Sequence, residues 1–444
     1  MDKPYLHLLF VACDDNDVYR STIRAQVRDW LDGVASRRSP EWLIVLVAVG
    51  ANEGLAGATA AGASGGSKFY SRRGAVIDKL RADFNVGKRD RCVAVSVPDE
   101  ARLADPALWA EMMVKIKESV VSTFDLNVTA YEDDIRKLDS QRSLPGWNFC
   151  RFFIQKVHPS GELALRWPQE GLAHTFEAMN LLEDALVQYD ELEASFYNSM
   201  TESSMAWFGK LGGTDPGDDA VSLFASPAPK PYRDLIQSNA ITVFDFRCYL
   251  VARQGSLLGR LGLVAELARR GSNFIASVAA LLREQSAALA PHFVESWTYG
   301  TALDIVEQCE RCLRRAGLEA ARVPGYLALK ASLLDLARTQ LERIGVQAGH
   351  LPARVPFEMS LAEPTGEVSL AVSQTPTAER FPQPISRTAV VGAVADRVKF
   401  DVLYTSAARR AIEAYMACGR RRFAIKLHAC LAALEQCVQH HRQH

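Results

Sequence analysis

The sequence lacks any long uncharged apolar run, because none of its hydrophobic stretches approaches the roughly 20 residues that a helix needs to cross a bilayer. Residues Met1–Pro4 lead directly into a strand-like run, without the apolar core and cleavage site of a signal peptide. We therefore expect any membrane contact to be made through partners or through a surface of the protein.

An excess of charge of either sign is also missing. The chain has 51 Lys and Arg against 52 Asp and Glu, for a formal net charge of -1, so no global field favours nucleic acid or an anionic membrane. The basic clusters are short and dispersed, which favours solvated faces or helix ends and leaves an acidic partner or a membrane surface as the alternative. They are Arg72–Arg73, Lys88–Arg91, Arg269–Arg270 and Arg420–Arg422.

Cysteine is too scattered to form a disulfide framework. The nine cysteines are odd in number and lie within helix-like and strand-like text, which favours reduced thiols in the cytosol. Cys309 and Cys312 lie within one helical pattern with no second pair at metal-ligand spacing, so we interpret them as buried thiols. His440, His441 and His444 form at most a weak metal-binding tract. We expect no cofactor and no metal.

The first 160 residues alternate between strand and helix patterns. Short, nearly continuous apolar runs predict strands that are covered on both faces, and helical patterns lie between them. The predicted strands are Leu6–Cys13, Trp42–Val49, Cys92–Val97 and Trp147–Val157, and the predicted helices are Val18–Val34, Ala75–Phe84 and Ala107–Gln141, the last with a candidate break near Asn127. This order predicts an α/β domain over residues 1–160 with a mostly parallel sheet and no catalytic role.

The remainder of the chain is predicted to be an all-α, tetratricopeptide-like solenoid. Its first part covers residues 161–346 and includes a polar, glycine-rich loop at 198–231. Residues 347–400 contain six prolines and are interpreted as a flexible insertion, after which the solenoid continues at 401–444. In the first part, helices are predicted at 232–252, 257–270, 274–285, 293–315 and 326–344.

Residues 176–196 predict one helix with two apolar faces, which is typical of helices that stack on neighbours on two sides. Leu172, Phe176 and Tyr189 follow one stripe at steps of three and four, while Ala185 and Leu192 belong to a second. The small side chain of Ala185 lets another helix approach closely. These five residues are our candidate stacking positions.

A second set of candidate stacking positions lies near residue 420. Tyr415 precedes a turn, Gly419 occupies the turn, and Ala424 follows where the next helix would cross, at tetratricopeptide-like spacing. The pattern ends without a capping helix, so we expect a truncation of a longer protein.

In an N-terminal α/β unit, the turn after the first strand is a candidate site for phosphate binding or hydrolysis. The turn after the first strand contains Asp14–Asp17, whose negative charge repels a phosphate where a glycine-rich loop would be needed. The acidic turn resembles the start of a haloacid-dehalogenase phosphohydrolase, but the later elements of that pattern are missing. A helix N-cap is therefore the favoured interpretation of the turn, and a phosphohydrolase or nucleotide-binding protein is the alternative.

Several blocks, taken in order, resemble the TRAPP complex subunit 10 family, the large subunits specific to the TRAPP II tethering complex. The blocks are Pro4–His7, Asp29–Trp30, Glu41–Val45, Ala75–Phe84, Asp90–Val93, Pro145–Cys150, Glu183–Leu192 and Arg247–Gln254. Residues 198–231 and 347–400 do not match, and family members continue further, so the chain resembles an N-terminal to central portion.

The resemblance implies a scaffold in a multisubunit guanine-nucleotide exchange factor for Rab GTPases. Its implied partners are other TRAPP subunits, a Rab GTPase through the assembled complex, and the Golgi membrane indirectly. Its implied location is cytoplasmic and peripheral at the trans-Golgi network. No catalytic residue can be transferred from the family. A free peptide-binding repeat module is a third hypothesis, and it would expose an open concave groove.

Overall fold

The structure is a computed structural model of the 444-residue chain. It describes residues 4–13, 15–36, 41–49, 68–85, 89–97, 104–141, 155–157, 164–166, 168–201, 214–225, 227–238, 240–284, 289–352, 356–357 and 384–442. The chain divides into two compact units, Met1–Asp133 and Asp134–His444.

The first unit is built on a three-stranded parallel sheet. Its strands are β1 (His7–Ala12), β2 (Trp42–Val49) and β3 (Cys92–Val97), which lie side by side in that order. Leu9 pairs with Ile44 and Ile44 with Cys92, so the register is continuous across the sheet. The three apolar runs that predicted strands are confirmed, and the sheet is parallel as expected.

Helices lie between these strands and after the last of them. They are α1 (Asn16–Val18), which continues through a π-helical turn at Tyr19–Ile23 into α2 (Arg24–Ser36), then α3 (Lys68–Phe84) and α4 (Pro106–Ser140). One core joins Val11 and Ile44 to Tyr19, Val27 and Leu80. A second core lies between the sheet and α4. The sheet is therefore covered on two faces, and α4 is unbroken at Asn127, where the sequence had suggested a break.

A short antiparallel pair follows, formed by β4 (Gln155–Val157) and β5 (Ala164–Arg166). Only the end of the predicted strand Trp147–Val157 lies within the described residues. In that part the strand pairs with β5 in a separate two-stranded sheet. Within residues 155–157 the strand does not pair with any strand of the parallel sheet.

The stretch predicted to be a single helix over 176–196 is two helices. They are α5 (Pro168–Ala178) and α6 (Leu182–Thr201). Asn180 has a φ of 59°, in the left-handed region where asparagine is tolerated better than most residues. The Leu181 N–H donates to the Phe176 carbonyl at 2.9 Å and closes the turn. The prediction was wrong because the apolar stripe continues across a reversal that no glycine or proline marks.

The following helices are α7 (Tyr232–Gln237), α8 (Val243–Arg260), α9 (Val264–Glu284), α10 (Phe293–Ala316) and α11 (Tyr326–Gln347). The breaks predicted after 252 and after 270 were wrong, because α8 and α9 run through them. Gly255 lies inside α8, where a Cβ atom would be 2.6 Å from the Phe224 ring, and Gly271 lies inside α9 with a Cβ position 2.6 Å from Ile305. These glycines allow close packing and do not end helices.

The last helices are α12 (Thr388–Ala395), α13 (Arg397–Ala417) and α14 (Arg421–Arg442). The helices pack in series, α8 on α9, α9 on α10, α10 on α11, α11 on α13, and α13 on α14. One hydrophobic core runs through this series. The predicted fold class, a parallel α/β unit followed by a solenoid-like all-α region, is confirmed.

The predicted domain boundaries stay predictions, although some local structure within them is described. Helix α6 continues to Thr201, inside the predicted loop 198–231, and a 3₁₀ turn follows at Asp218–Ala220. In the predicted insertion 347–400, α12 and the first turn of α13 are helical. The stretches 202–213 and 358–383 lie outside the described residues.

Candidate functional site

The first set of candidate stacking positions lies in α5 and α6. Ala185, Tyr189 and Leu192 are buried in the core of the helical series, Phe176 packs against that core while partly exposed, and Leu172 is buried in α5. The structure thus places all five in packed surroundings. Their role in stacking repeats stays a prediction.

Tyr189 also has a polar partner that the apolar pattern did not reveal. Its hydroxyl accepts a hydrogen bond from Nε of Arg253 on α8 at 2.8 Å, and the guanidinium lies 5.4 Å from the ring centroid. The same arginine forms an ion pair with Glu177 of α5 at 2.9 Å. Burial, followed by the charge of Glu170, raises the pKa of Tyr189 to about 12. A neutral tyrosine therefore joins α6 to α8.

The second set lies at the turn between α13 and α14. The Tyr415 hydroxyl donates to Asp335 at 2.9 Å, and its ring stacks on Phe423 with centroids 5.1 Å apart. Gly419 has a φ of 76° after the end of α13, which is the conformation that favours glycine at a helix C-terminus. Ala424 is buried in α14. Their stacking role also stays a prediction.

The acidic turn at Asp14–Asp17 serves as a helix start in the part that the structure describes; Asp14 lies outside it. The Asp15 carboxylate accepts a hydrogen bond from the Asp17 backbone N–H at 3.2 Å, which makes Asp15 the N-cap of α1. The Asn16 side chain accepts a bond from Lys79 at 2.9 Å. These contacts agree with the capping interpretation and do not assemble a phosphate site.

The described residues contain buried thiols but no cluster of metal-binding side chains. Cys309 and Cys312 are buried free thiols, as expected from the sequence, and burial raises the pKa of Cys309 to about 12. Within the ranges given above, no three His, Cys, Asp or Glu side chains lie close enough to hold a metal ion. None of the helices in those ranges is both long and apolar enough to span a membrane.

An apolar face lies open on β1, at the edge of the parallel sheet. Leu8 and Phe10 are 39% and 55% exposed. By register they stand beside Leu43 and Val45 of β2, which are buried in the core against α4. Side chains of paired positions share a face, so α4 covers that face at β2 but leaves it open at β1. Because β1 has a described neighbour only in β2, its outer backbone edge is also open among the described strands.

A second apolar surface lies on α4 itself. Trp109, Met112 and Ile116 pack toward the sheet. Val114 and Val121 are seven residues apart, so they share a helix face, and they are 53% and 49% exposed. Met113 and Leu126 are also exposed. We call Met113, Val114, Val121 and Leu126 the α4 surface.

A shallow groove beside the α4 surface carries both signs of charge. Its lining consists of Arg89, Lys117, Glu118, Val121, Ser122, Asp125 and Leu126. The buried carboxylate of Glu41 anchors one wall, because it forms an ion pair with Arg89 at 2.5 Å and accepts a bond from Ser122 at 3.1 Å. Exposed aliphatic side chains beside fixed, mixed charges are typical of a protein-binding surface and offer no catalytic constellation.

The α4 surface was not predicted from the sequence, although one signal was present. Val114, Val121 and Val128 recur at intervals of seven within Pro106–Ser140. Such a repeat marks one face of a helix. It does not say whether that face is the covered one, and here the sheet is covered by the neighbouring face.

Residues 1–142, which include β1 and the α4 surface, match the family model described as "Trafficking protein particle complex subunit 10-like, N-terminal". A Dictyostelium discoideum protein named trafficking protein particle complex subunit 10 is 32% identical over 340 residues, covering 69% of this chain and 21% of the relative. The chain belongs to the trafficking protein particle complex subunit 10 family. The resemblance found in the sequence is thereby confirmed.

Other members of the subunit 10 family extend the match along the chain. The Mus musculus protein of the same name is 27% identical over 434 residues, covering 95% of this chain and 31% of the relative. An Arabidopsis thaliana protein named trafficking protein particle complex II-specific subunit 130 homolog is 30% identical, covering 78% of this chain and 25% of the relative. The chain thus spans between about a fifth and a third of the length of these relatives.

Proposed function

We propose that the chain acts as a non-catalytic scaffold in the TRAPP II complex, a multisubunit tether and guanine-nucleotide exchange factor for Rab GTPases in Golgi vesicle traffic. The names of the relatives support membership of a trafficking particle, and one of them is II-specific. In this proposal the chain is cytoplasmic and peripheral at the trans-Golgi network. It meets a Rab GTPase only through the assembled complex.

The observation that carries the proposal is the open apolar surface of the first unit. The α4 surface and the exposed face of β1 lie within the segment that matches the family model. Monomeric proteins rarely leave large apolar patches open, and patches rimmed by charge mark protein interfaces. We assign the α4 surface to another TRAPP subunit.

The charges of the neighbouring groove favour a protein partner over nucleic acid. Arg89 and Lys117 lie beside Glu118 and Asp125, so the groove has no single sign of charge. Nucleic acid selects surfaces with clustered lysine and arginine. A protein with its own mixed rim can pair with both signs and bury Val121 at the centre of the contact.

The test is co-purification of the full chain with the small TRAPP subunits, followed by calorimetric titration. We expect binding by the unmodified chain. Val114→Asp combined with Val121→Asp should weaken it at least about tenfold, because charged groups would replace apolar side chains at the centre of an interface. Both side chains are about half exposed, so the fold should tolerate the change.

A matched control uses exposed leucines of the second unit. Leu263→Asp combined with Leu318→Asp changes charge and apolar area in the same way at side chains of similar exposure. This control should bind like the unmodified chain. If the unmodified chain does not co-purify with the subunits, the proposed complex membership is contradicted. If the variant with Val114→Asp and Val121→Asp binds as well as the unmodified chain, the α4 surface is not part of the interface.

A further inference from the structure

A cluster of exposed cations lies at the turn between α13 and α14. Gly419 reverses the chain, and Arg420, Arg421, Arg422 and Lys426 follow it, all four exposed. We call these four residues the basic tip. Residues 397–436, which include the tip, carry eight Lys and Arg against three Asp and Glu, although the whole chain has a net charge of -1. The helical pair is therefore a local concentration of positive charge.

The cations of the basic tip have no ion-pair partner among the described residues. Three arginines elsewhere in the second unit are arranged differently. Arg269 pairs with Glu266 at 2.5 Å, Arg311 with Glu307 at 3.0 Å, and Arg322 with Glu319 at 3.4 Å. Charge is neutralised locally at those places, whereas the tip presents one sign of charge outward.

The basic tip also lies at the N-terminus of α14, the end of a helix at which positive side chains lower helix stability. Arg421 and Arg422 begin α14, and the first turn contains no acidic residue. The N-terminus of a helix carries a partial positive charge, so cations at that end are unfavourable for helix stability. The partial positive charge of the helix end and the charges of the side chains add to one positive electrostatic potential. Binding of an external anion would reduce the repulsion among them.

Apolar side chains are interleaved with these cations. Phe423 is 50% exposed and Ile425 is 67% exposed, and Met416 at the end of α13 is 52% exposed. The Phe423 ring is held by its stacking on Tyr415. Cations that alternate with exposed aromatic and aliphatic side chains are typical of surfaces that lie in the headgroup region of a membrane.

We propose that the basic tip, together with Phe423 and Ile425, binds the surface of an anionic lipid bilayer directly. The cations point outward from a helix turn and so suit a broad anionic surface. Each lysine or arginine near such a surface contributes about fivefold to the binding constant. This inference is independent of the proposed scaffold function, which needs no direct lipid contact.

The test is flotation of the full 444-residue chain with vesicles of phosphatidylcholine alone and with vesicles that also contain about 30% phosphatidylserine. We expect binding to the anionic vesicles only, and weakening as salt is raised. Arg420→Gln, Arg421→Gln and Arg422→Gln together should reduce the binding constant about 100-fold. Ile425→Ser should reduce it severalfold with the salt dependence unchanged, because it removes only apolar contact.

The matched control removes the same number of charges elsewhere. Arg269→Gln, Arg311→Gln and Arg322→Gln together should leave vesicle binding unchanged, since each of these side chains already faces a glutamate. Circular dichroism should be used to check that both triple variants are folded. Three outcomes would overturn the proposal: equal binding to neutral vesicles, an equal loss in both triple variants, or capture of acidic proteins by the tip without binding to anionic vesicles.

Discussion

The guanidinium of Arg387 lies against the backbone of α10 at Gly300, in the space that a Cβ atom of residue 300 would occupy. Its Nη2 donates to the carbonyl of Asp219 at 3.1 Å. The Asp219 carboxylate in turn accepts bonds from the Ser386 backbone N–H at 2.9 Å and from the Ser296 hydroxyl at 2.7 Å. The residues that lead into α12 are therefore bound to α10 and to the 3₁₀ turn of residues 218–220.

Gly300→Ala should destabilise the second unit. The added Cβ would overlap the Arg387 guanidinium, so either that side chain or α10 must shift. Overpacking of this kind costs about 1–3 kcal/mol. The loss is measured as the difference in free energy of unfolding in urea.

Gly392→Ala is the control for this change. Gly392 is also helical, and its Cβ position is in ordinary contact with the flexible Lys399 side chain at 3.4 Å. Alanine is the better helix former by about 1 kcal/mol, so this variant should be neutral or more stable. Equal effects of the two substitutions would contradict the close packing of Arg387 on α10.

Asp304 should make stability depend on pH. Burial raises its pKa to about 6, against the opposing charge of Arg387 and the bond from the Leu223 N–H. A carboxyl group with a raised folded-state pKa contributes stability that is complete below its unfolded pKa near 4 and is lost as the pH rises through about 6. The folded chain should therefore lose stability between pH 4 and pH 7 through this group.

Asp304→Asn should flatten that part of the pH profile. The variant lacks the titrating proton, so its free energy of unfolding relative to the unmodified chain should rise by about 2 kcal/mol from pH 4.5 to pH 7. Urea unfolding at the two pH values measures the difference. Parallel profiles for the Asp304 variant and the unmodified chain would contradict a proton bound at Asp304.

Asp15 allows a direct comparison between capping and phosphate chemistry. As the N-cap of α1 it should tolerate Asp15→Asn, because asparagine caps equally well, whereas Asp15→Ala should cost about 1 kcal/mol. A nucleophilic carboxylate would lose its chemistry in both variants. Thermal unfolding and a magnesium-dependent phosphatase assay separate the two roles, and turnover that disappears with Asp15→Asn would contradict the capping role.

The strands of the sheet were predicted well because the apolar pattern of each strand is visible in its own residues. Trp42–Val49 and Cys92–Val97 are continuous apolar runs, which a strand covered on two faces requires, and both bounds agree with the structure. The length of α4 was also predicted closely. The periodicity of each element could be read without knowledge of its neighbours.

Helix boundaries depended on contacts that the sequence does not display. Helix breaks were predicted between residues 252 and 257 and between 270 and 274. Gly255 and Gly271 lie in those intervals, and each provides room for a side chain from elsewhere, Phe224 in one case and Ile305 in the other. At Asn180 the opposite occurred, since a real reversal is formed by a residue with a Cβ. Glycine as a stop and glycine as a packing site are identical in the sequence and differ only in the fold.

The candidate surfaces were also harder to predict from the sequence, because burial and ion pairing depend on neighbouring elements. The composition of α4 shows its apolar residues but not which of them the sheet covers, so Val114 and Val121 could not be separated from Met112 and Ile116. The basic run Arg420–Arg422 was visible, but its lack of acidic partners among the described residues became apparent only when α13 and α14 were placed together. Burial and pairing are properties of the fold.

Ala185→Leu tests the packing of α6. Ala185 is fully buried in the helical core, so a larger side chain must displace its neighbours and should lower the free energy of unfolding by roughly 1–3 kcal/mol. Val187→Leu, two residues along the same helix at a side chain that is 49% exposed, is the control and should change stability by less than about 0.5 kcal/mol. Urea unfolding measures both. Equal stability of the Ala185 variant and the unmodified chain would mean that α6 does not need a small residue for close helix approach.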